Sequence, residues 1–297
     1  MDERLLDKAE RVLGWRPVAW REVHGGYTPS RRFIVRAGAR RAFLKVATTP
    51  VTISMLRREL AVYPRLGGAF MPAFLGGLDE DDEPVLALED LSHAHWPPPW
   101  NDRSVAAVLD AIAAMHATPA DVPRYAVVQA GRDEGWKAVV RDPAPLLSLG
   151  LCDADWLAAA LRALVAAEAE CSTEGDALCH GDLRSDNLCL ADGRVVLLDW
   201  PEACLSNPRL DLGLMLPSLE EEGGPPPEAI LPDAPEVAAW VAGFFAARAG
   251  LSPIPGSPGV RRVQLRQLRT ALPWAQRALG LPAPGVNNSA ESRFRRR

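Results

Sequence analysis

Within one short run, residues 177–200 (ALCHGDLRSDNLCLADGRVVLLDW), stand His180, Asp182, Asn187 and Asp199. These are residue types that move protons and hold cations. The apolar stretches around them, residues 188–190 and 195–198, read as two short strands. Asp192-Gly193 lies between, and both residues tolerate positive φ, so the pair predicts a tight hairpin. A loop carrying Asp182 thus leads into a hairpin whose far end delivers Asp199. A loop carboxylate can accept the proton of an attacking hydroxyl. An amide oxygen and a second carboxylate are hard ligands that suit Mg²⁺. Together they make the catalytic half of a phosphoryl-transfer site. The competing reading is a buried polar hairpin with His180 a hydrogen-bonded core histidine. That reading serves His180 alone equally well, but not the whole ordered set.

Several elements must position this run. Apolar residues at helical spacing predict a helix over residues 3–13 and another over 52–66, the latter with Glu59 near its middle and Pro64 near its end. Strands are predicted at 18–23, 32–36, 42–46, 71–78 and 84–88. Gly25 and Gly26 lie in the turn before the second strand. Strand, glycine turn, strand is a geometry that lets backbone amides approach a triphosphate, although such hairpins are more often structural. Lys45 sits among apolar neighbours in the third strand and is one of very few lysines in an arginine-rich chain. It is either a snorkelling edge lysine or a cation held against α- and β-phosphates. The acidic residues 79–83 read as a solvated hairpin tip.

Further along, residues 96–100 (WPPPW) form a stiff connector. Asp102 or Ser104 can cap a helix whose apolar face includes Val105, Val108, Ile112 and Met115. Residues 121–151 read as irregular, with Trp136 packed under the helix predicted at 153–169. After the catalytic run, Asp211 stands at a helix start, where its carboxylate can accept amide hydrogen bonds. Residues 220–227 (EEEGGPPP) predict a flexible, charged break. Helices follow at 235–248 and 260–279, the second interrupted at Pro273. His93 and His95 have no cysteine or acid at ligand spacing, so no zinc site is expected there. His116 reads as structural.

His180-Gly181-Asp182-Leu183-Arg184-Ser185-Asp186-Asn187, followed by Leu197-Leu198-Asp199-Trp200, resembles the aminoglycoside phosphotransferase and choline kinase-like family. The likeness is sharpest over residues 177–212. It implies an α+β, two-lobed, protein-kinase-like fold: an N-terminal antiparallel sheet with a helix, then a mainly helical C-terminal lobe with the catalytic hairpin. The implied domains are 1–91 for nucleotide, 92–290 for catalysis and acceptor, and a disordered tail at 291–297. It implies transfer of the γ-phosphoryl group of ATP, with GTP not excluded, to a hydroxyl of a small molecule. Asp182 would be the base, His180 its buttress, and Arg184 a group that neutralises transferred charge. Asn187 and Asp199 would hold Mg²⁺. Glu59 would orient Lys45. The loop of Gly25 and Gly26 would cover the nucleotide. Thr28-Pro29-Ser30 replaces the family's Ser-Asn there, and Pro29 lacks an amide donor, so Ser30 or Thr28 would share the phosphate contact. The strand ending Glu89-Asp90-Leu91 resembles the linker whose backbone pairs with adenine, through the Glu89 carbonyl and the Leu91 amide. Asp211 would brace the catalytic loop. Glu202, with the acids at 220–222, is the candidate acceptor contact.

The 297 residues suffice for a large domain or two lobes with a sizeable core. A net charge of −5 gives no reason to expect nucleic-acid binding beyond the nucleotide. Five cysteines without a CxxC pair read as reduced thiols of a cytoplasmic protein. The charged start Asp2-Glu3-Arg4 has no apolar signal core behind it, and no run is apolar enough to span a membrane. The expected partner is a small hydroxylated acceptor, and the expected state a monomer or weak dimer. A nucleotide-binding scaffold without transfer activity is the alternative. The retained lysine, base and metal ligands argue against it. Gly181 and Trp200 stand where a protein kinase would carry the arginine of HRD and the phenylalanine of DFG, which disfavours that enzyme.

Overall fold

The computed structural model describes residues 1–80, 82–131, 135–257 and 259–284. The tail expected at 291–297 lies outside the described residues. The chain forms two compact units: Met1–Pro123 with Ala177–Leu205, and Arg124–Asp176 with Ser206–Arg297.

The first unit opens with α1 (Glu3–Leu13). The Asp2 side chain accepts from the Leu5 amide at its start, and Gly14 ends it in the left-handed region at φ 71°. Five strands then form an antiparallel sheet: β1 (Ala19–Glu22), β2 (Arg31–Ala37), β3 (Arg40–Val46), β4 (Phe74–Leu78) and β5 (Val85–Leu88), in the order β1-β2-β3-β5-β4. Between β3 and β4 runs α2 (Pro50–Val62), opened by a Thr49–Thr52 capping box with proline in its first turn.

Alternation along the strands divides the sheet into two faces. Phe33, Val35, Ala42, Leu44, Val46, Val85 and Ala87 bury one face against Leu5 and Ala9 of α1. Lys45 therefore points from the other face, and the register sets it opposite Arg32 on β2 and Leu86 on β5. Helix α3 (Asp102–His116) follows, capped reciprocally by Asn101 and Ser104. Ser104 thus takes part in the cap, but the capping residue is Asn101 rather than Asp102. Strands β6 (Ala177–Cys179) and β9 (Cys204–Ser206) pair with each other. Between them β7 (Leu188–Ala191) and β8 (Arg194–Leu197) form the predicted hairpin, turned by Asp192 at φ 50° and Gly193 at φ 77°.

The second unit is helical: α4 (Tyr125–Val128), α5 (Gly135–Arg141), α6 (Ala144–Leu147), α7 (Ala154–Glu170), α8 (Pro208–Glu221), α9 (Pro227–Ile230), α10 (Pro235–Ala249) and α11 (Gly259–Ala278). Three of these occupy the segment read as irregular, since each is too short to show a periodic face. Trp136 on α5 is fully buried and donates from its ring to the Ala239 carbonyl of α10 at 2.8 Å. Helix α8 continues into the acids expected to break it, because Glu220, Glu221 and Glu222 are held by Arg277 and Arg266 of α11. Helix α11 runs through Pro273 without the expected interruption. Burial of Ala271, Leu272, Trp274 and Ala275 around it offsets the missing hydrogen bond.

All five cysteines are buried and none forms a disulfide. Among the described residues no helix is long and apolar enough to cross a membrane. Leu44→Ala in the sheet core should lower unfolding stability by about 2–5 kcal/mol, read as a shift of the thermal or denaturant midpoint.

Candidate active site

Lys45 is buried on β3, and its Nζ donates to Glu59 Oε1 at 2.6 Å and to Asp199 Oδ1 at 2.7 Å. Glu59 is fully buried on α2, and its second oxygen is buried with no hydrogen-bond partner among the described residues. Burial pushes the Glu59 carboxyl up to about 7 against the pull of Lys45. Burial alone would lower the Lys45 ammonium, but Asp199 and Glu59 outweigh it and raise it. Asp199 is the more accessible acid, with 46% of its side chain exposed. Burial acts to raise its carboxyl. The charge and hydrogen bond of Lys45, helped by Arg32 and Arg184, prevail and hold it at about 2.

The loop after β6 brings the next group together. His180 is fully buried. Its Nε2 lies 2.7 Å from the Leu198 carbonyl, and its Nδ1 accepts from the Asp182 amide at 3.3 Å. A carbonyl can only accept, so the ring proton sits on Nε2, leaving Nδ1 as the acceptor. The ring also packs on Trp200, with centroids 4.7 Å apart. His180 therefore ties the start of the Asp182 loop to the strand that delivers Asp199. Asn187 spends its amide NH₂ on the Asp182 carbonyl at 2.8 Å and on Asp182 Oδ2 at 3.3 Å. Its amide oxygen is the end that suits a cation. Leu198 donates its amide to the Asn187 carbonyl at 2.8 Å, so the two proposed metal ligands stand on hydrogen-bonded backbone. The donor set, an amide oxygen and a carboxylate kept ionised by Lys45, fits Mg²⁺.

Arg184 bonds Asp182 Oδ1 through one terminal nitrogen, while its Nε donates to Asp186 Oδ1 at 2.9 Å. Burial raises the Asp182 carboxyl in spite of the Arg184 charge, which makes it a stronger base than an ordinary aspartate. The guanidinium of Arg184 also lies 5.8 Å from the ring centre of Tyr27, the residue after the two glycines. That contact carries the glycine turn to the catalytic loop. Gly26 is at φ 71°, and a Cβ there would come within 2.8 Å of the Arg32 guanidinium. Arg32 fills the turn from beneath, donating to the Ser30 carbonyl at 2.9 Å and the Thr28 hydroxyl at 3.3 Å.

The remaining sequence candidates fall as follows. Glu89 directs its side chain to Arg194 on the hairpin, with both oxygens 2.6 Å from one guanidinium nitrogen. Its amide is used by the Ala73 carbonyl at 2.9 Å. Leu91 is buried with Cys189, Ala191 and Val196. Glu202 is only 14% exposed in its side chain and pairs with Arg58 at 2.9 Å. Asp211 belongs to the second unit, buried in the first turns of α8. Its helix is capped by Asn207, and Asp211 lies in the first turn. Arg32, Arg58, Arg194 and Tyr27 carried no motif and escaped the sequence reading. The cross-strand register would have exposed Arg32 alone.

Residues 19–254 match the model of the phosphotransferase enzyme family. The chain belongs to that family. On that membership it is a small-molecule kinase. Comparison with curated proteins gives no match. Among solved structures it is similar to a thermostable mutant of aminoglycoside phosphotransferase APH(4)-Ia in ternary complex with ADP and hygromycin B, at TM-score 0.58 and 16% identity over 96% of this chain and 99% of that one. It is similar to spectinomycin phosphotransferase APH(9)-Ia in complex with ADP and spectinomycin, at TM-score 0.57 and 12% identity over 95% and 99% of the chains. A choline/ethanolamine kinase family protein from Mesorhizobium loti matches at TM-score 0.50 and 18% identity over 92% and 97%. These likenesses show the protein-kinase-like fold. The α+β architecture read from the sequence of this phosphotransferase-family chain is therefore correct.

Burial holds the Glu59 carboxyl up at about 7 in the folded chain, above its ordinary value of about 4.5. The folded state thus binds the extra proton, and the stability linked to it is lost as pH rises through the folded value. Wild-type stability measured relative to Glu59→Gln should fall steadily from about pH 4.5 to about pH 7, read from melts across that range. A pH-independent difference would refute the shift.

Proposed function

We propose that this kinase transfers the γ-phosphoryl group of ATP to a hydroxyl of a small molecule. The observation that carries the reading is Lys45 fixed between Glu59 and Asp199, in the same unit as the Asp182–Asn187 pair. Asp182 would accept the acceptor's hydroxyl proton as that oxygen attacks the γ-phosphorus and the bond to the ADP oxygen breaks. Lys45 would hold the α- and β-phosphates while Glu59 keeps it aimed. Asn187 and Asp199 would hold Mg²⁺, which when bound offsets negative charge on the phosphate oxygens. Arg184, already within reach of Asp182, would face charge that develops on the transferred group. Because phosphoryl transfer has a loose transition state, these residues act by positioning and electrostatics. The Gly25–Gly26 turn, with Ser30, would cover the phosphates, and the backbone at Glu89 and Leu91 would meet the base.

The two aminoglycoside-type neighbours were solved with ADP and an antibiotic acceptor, which supports a nucleotide and a hydroxylated antibiotic or metabolite here. Retention of Lys45, Asp182, Asn187 and Asp199 together argues against a scaffold that binds nucleotide without transfer.

Mg²⁺ with ATP should raise the melting temperature, with about 2.7 kcal/mol of linkage at a ligand concentration of 100 times Kd. Absence of a shift with any nucleotide would overturn the reading. Asp182→Asn should keep that shift and lose about 10²-fold or more in transfer. Transfer is assayed as ATP consumption against aminoglycosides, amino alcohols and sugars, and wild-type rates in the mutant would exclude Asp182 as the base.

A further inference from the structure

Glu202 follows the Asp199 strand so closely that it invites an acceptor-binding role. The geometry points elsewhere. Its carboxylate is 2.9 Å from an Arg58 nitrogen, with the two side chains 14% and 32% exposed. Arg58 is adjacent in sequence to Glu59, the partner of Lys45. Helix α2 therefore reaches both ends of the loop Asp199-Trp200-Pro201-Glu202. It reaches the first residue through Lys45, at 2.6 and 2.7 Å, and the last directly through Arg58.

The middle of the loop is fixed separately. Trp200 is fully buried, donates to the Leu197 carbonyl at 2.9 Å, and packs on His180. Glu202's own backbone abuts the catalytic loop. A Cβ on Gly181, which sits at φ 77°, would come within 2.3 Å of the Glu202 carbonyl oxygen. Glycine is thus required between His180 and Asp182 on two counts, its backbone conformation and its neighbour. Asp199 itself sits at φ 61°, a conformation that a non-glycine residue keeps only when its surroundings hold it there.

We infer that Arg58 and Glu202 are a positioning pair: they lock the loop bearing Asp199 to α2 and to the catalytic loop, and Glu202 does not contact the acceptor. This rests on the phosphotransfer role proposed for Asp199. The pair works through Asp199, so its loss should appear first in cation-dependent nucleotide binding and in kcat, not in acceptor affinity. A residue that gripped the acceptor would show the reverse pattern.

The test uses Arg58→Glu, Glu202→Arg, both together, and the mild Glu202→Gln. Two readouts are taken: the Mg²⁺ concentration for half-maximal AMP-PNP binding, followed by thermal shift, and the split between kcat and acceptor KM. Each single reversal should raise the Mg²⁺ midpoint and lower kcat by about tenfold, and the double reversal should recover most of both, as coupled neighbours do. Glu202→Gln should change both in the same direction by less, with acceptor KM within about twofold. A raised acceptor KM in Glu202→Gln with an unchanged Mg²⁺ midpoint would overturn the inference. So would a double reversal no better than the worse single variant. If either reversal fails to fold, Glu202→Gln alone decides between these outcomes. Wild-type protein that binds no Mg²⁺-nucleotide would instead refute the phosphotransfer reading, so the two failures are separable.

Discussion

An ammonium taken out of water must find negative charge, and Lys45 finds two carboxylates. That pairing draws β3, α2 and the end of the catalytic hairpin to one point. Neither acid alone meets the need equally. Glu59 is so deeply enclosed that its carboxyl resists ionisation, whereas Asp199 is partly open and firmly ionised. The arrangement is asymmetric in a useful way. The enclosed acid aims the lysine and stays behind it. The open acid is the one able to turn toward a cation.

Around this point the backbone takes conformations that side chains seldom allow. Asp192 and Gly193 reverse the hairpin, Gly181 admits the Glu202 carbonyl, and Asp199 occupies the left-handed region. The glycines take theirs without steric cost, whereas Asp192 and Asp199 carry side chains, and Asp199 is kept there by its surroundings. Trp200 and His180, both fully enclosed, provide the packing that holds the last of these. The polar residues of the run thus stand on an apolar foundation supplied by the same short sequence.

Much of this was legible beforehand, for identifiable reasons. The order His180, Asp182, Asn187, Asp199 is local, and Asp192-Gly193 announces its own turn chemistry. Lys45 stands out as a lone lysine in an apolar strand, whereas Glu59 looks like a surface acid and gains its role only from the family resemblance. Arg58, Arg194 and Arg32 do not stand out, because an arginine has no preferred local context and its meaning lies in what the fold places opposite it. Local rules also failed where packing overruled them. Pro273 does not break α11, since the buried residues flanking it hold the helix together. The short helices α4 to α6 had too few turns to show periodicity. The acids ending α8 looked like a solvated break because their arginine partners on α11 are remote in sequence.

Arg194 ties together two parts of the proposed nucleotide site. One guanidinium joins the Glu89 carboxylate to the hairpin, and its other end holds the carbonyls of Ala69 at 3.0 Å and Met71 at 2.9 Å. The backbone bridge between His95 and Leu190 fastens the same region a second time. The strand end that would cradle the base is therefore tied by side chain and backbone to the hairpin that would carry the metal. The Gly25–Gly26 turn would be the opposite wall of such a site, and Tyr27 sets it against the Arg184 guanidinium, 5.8 Å from its ring centre.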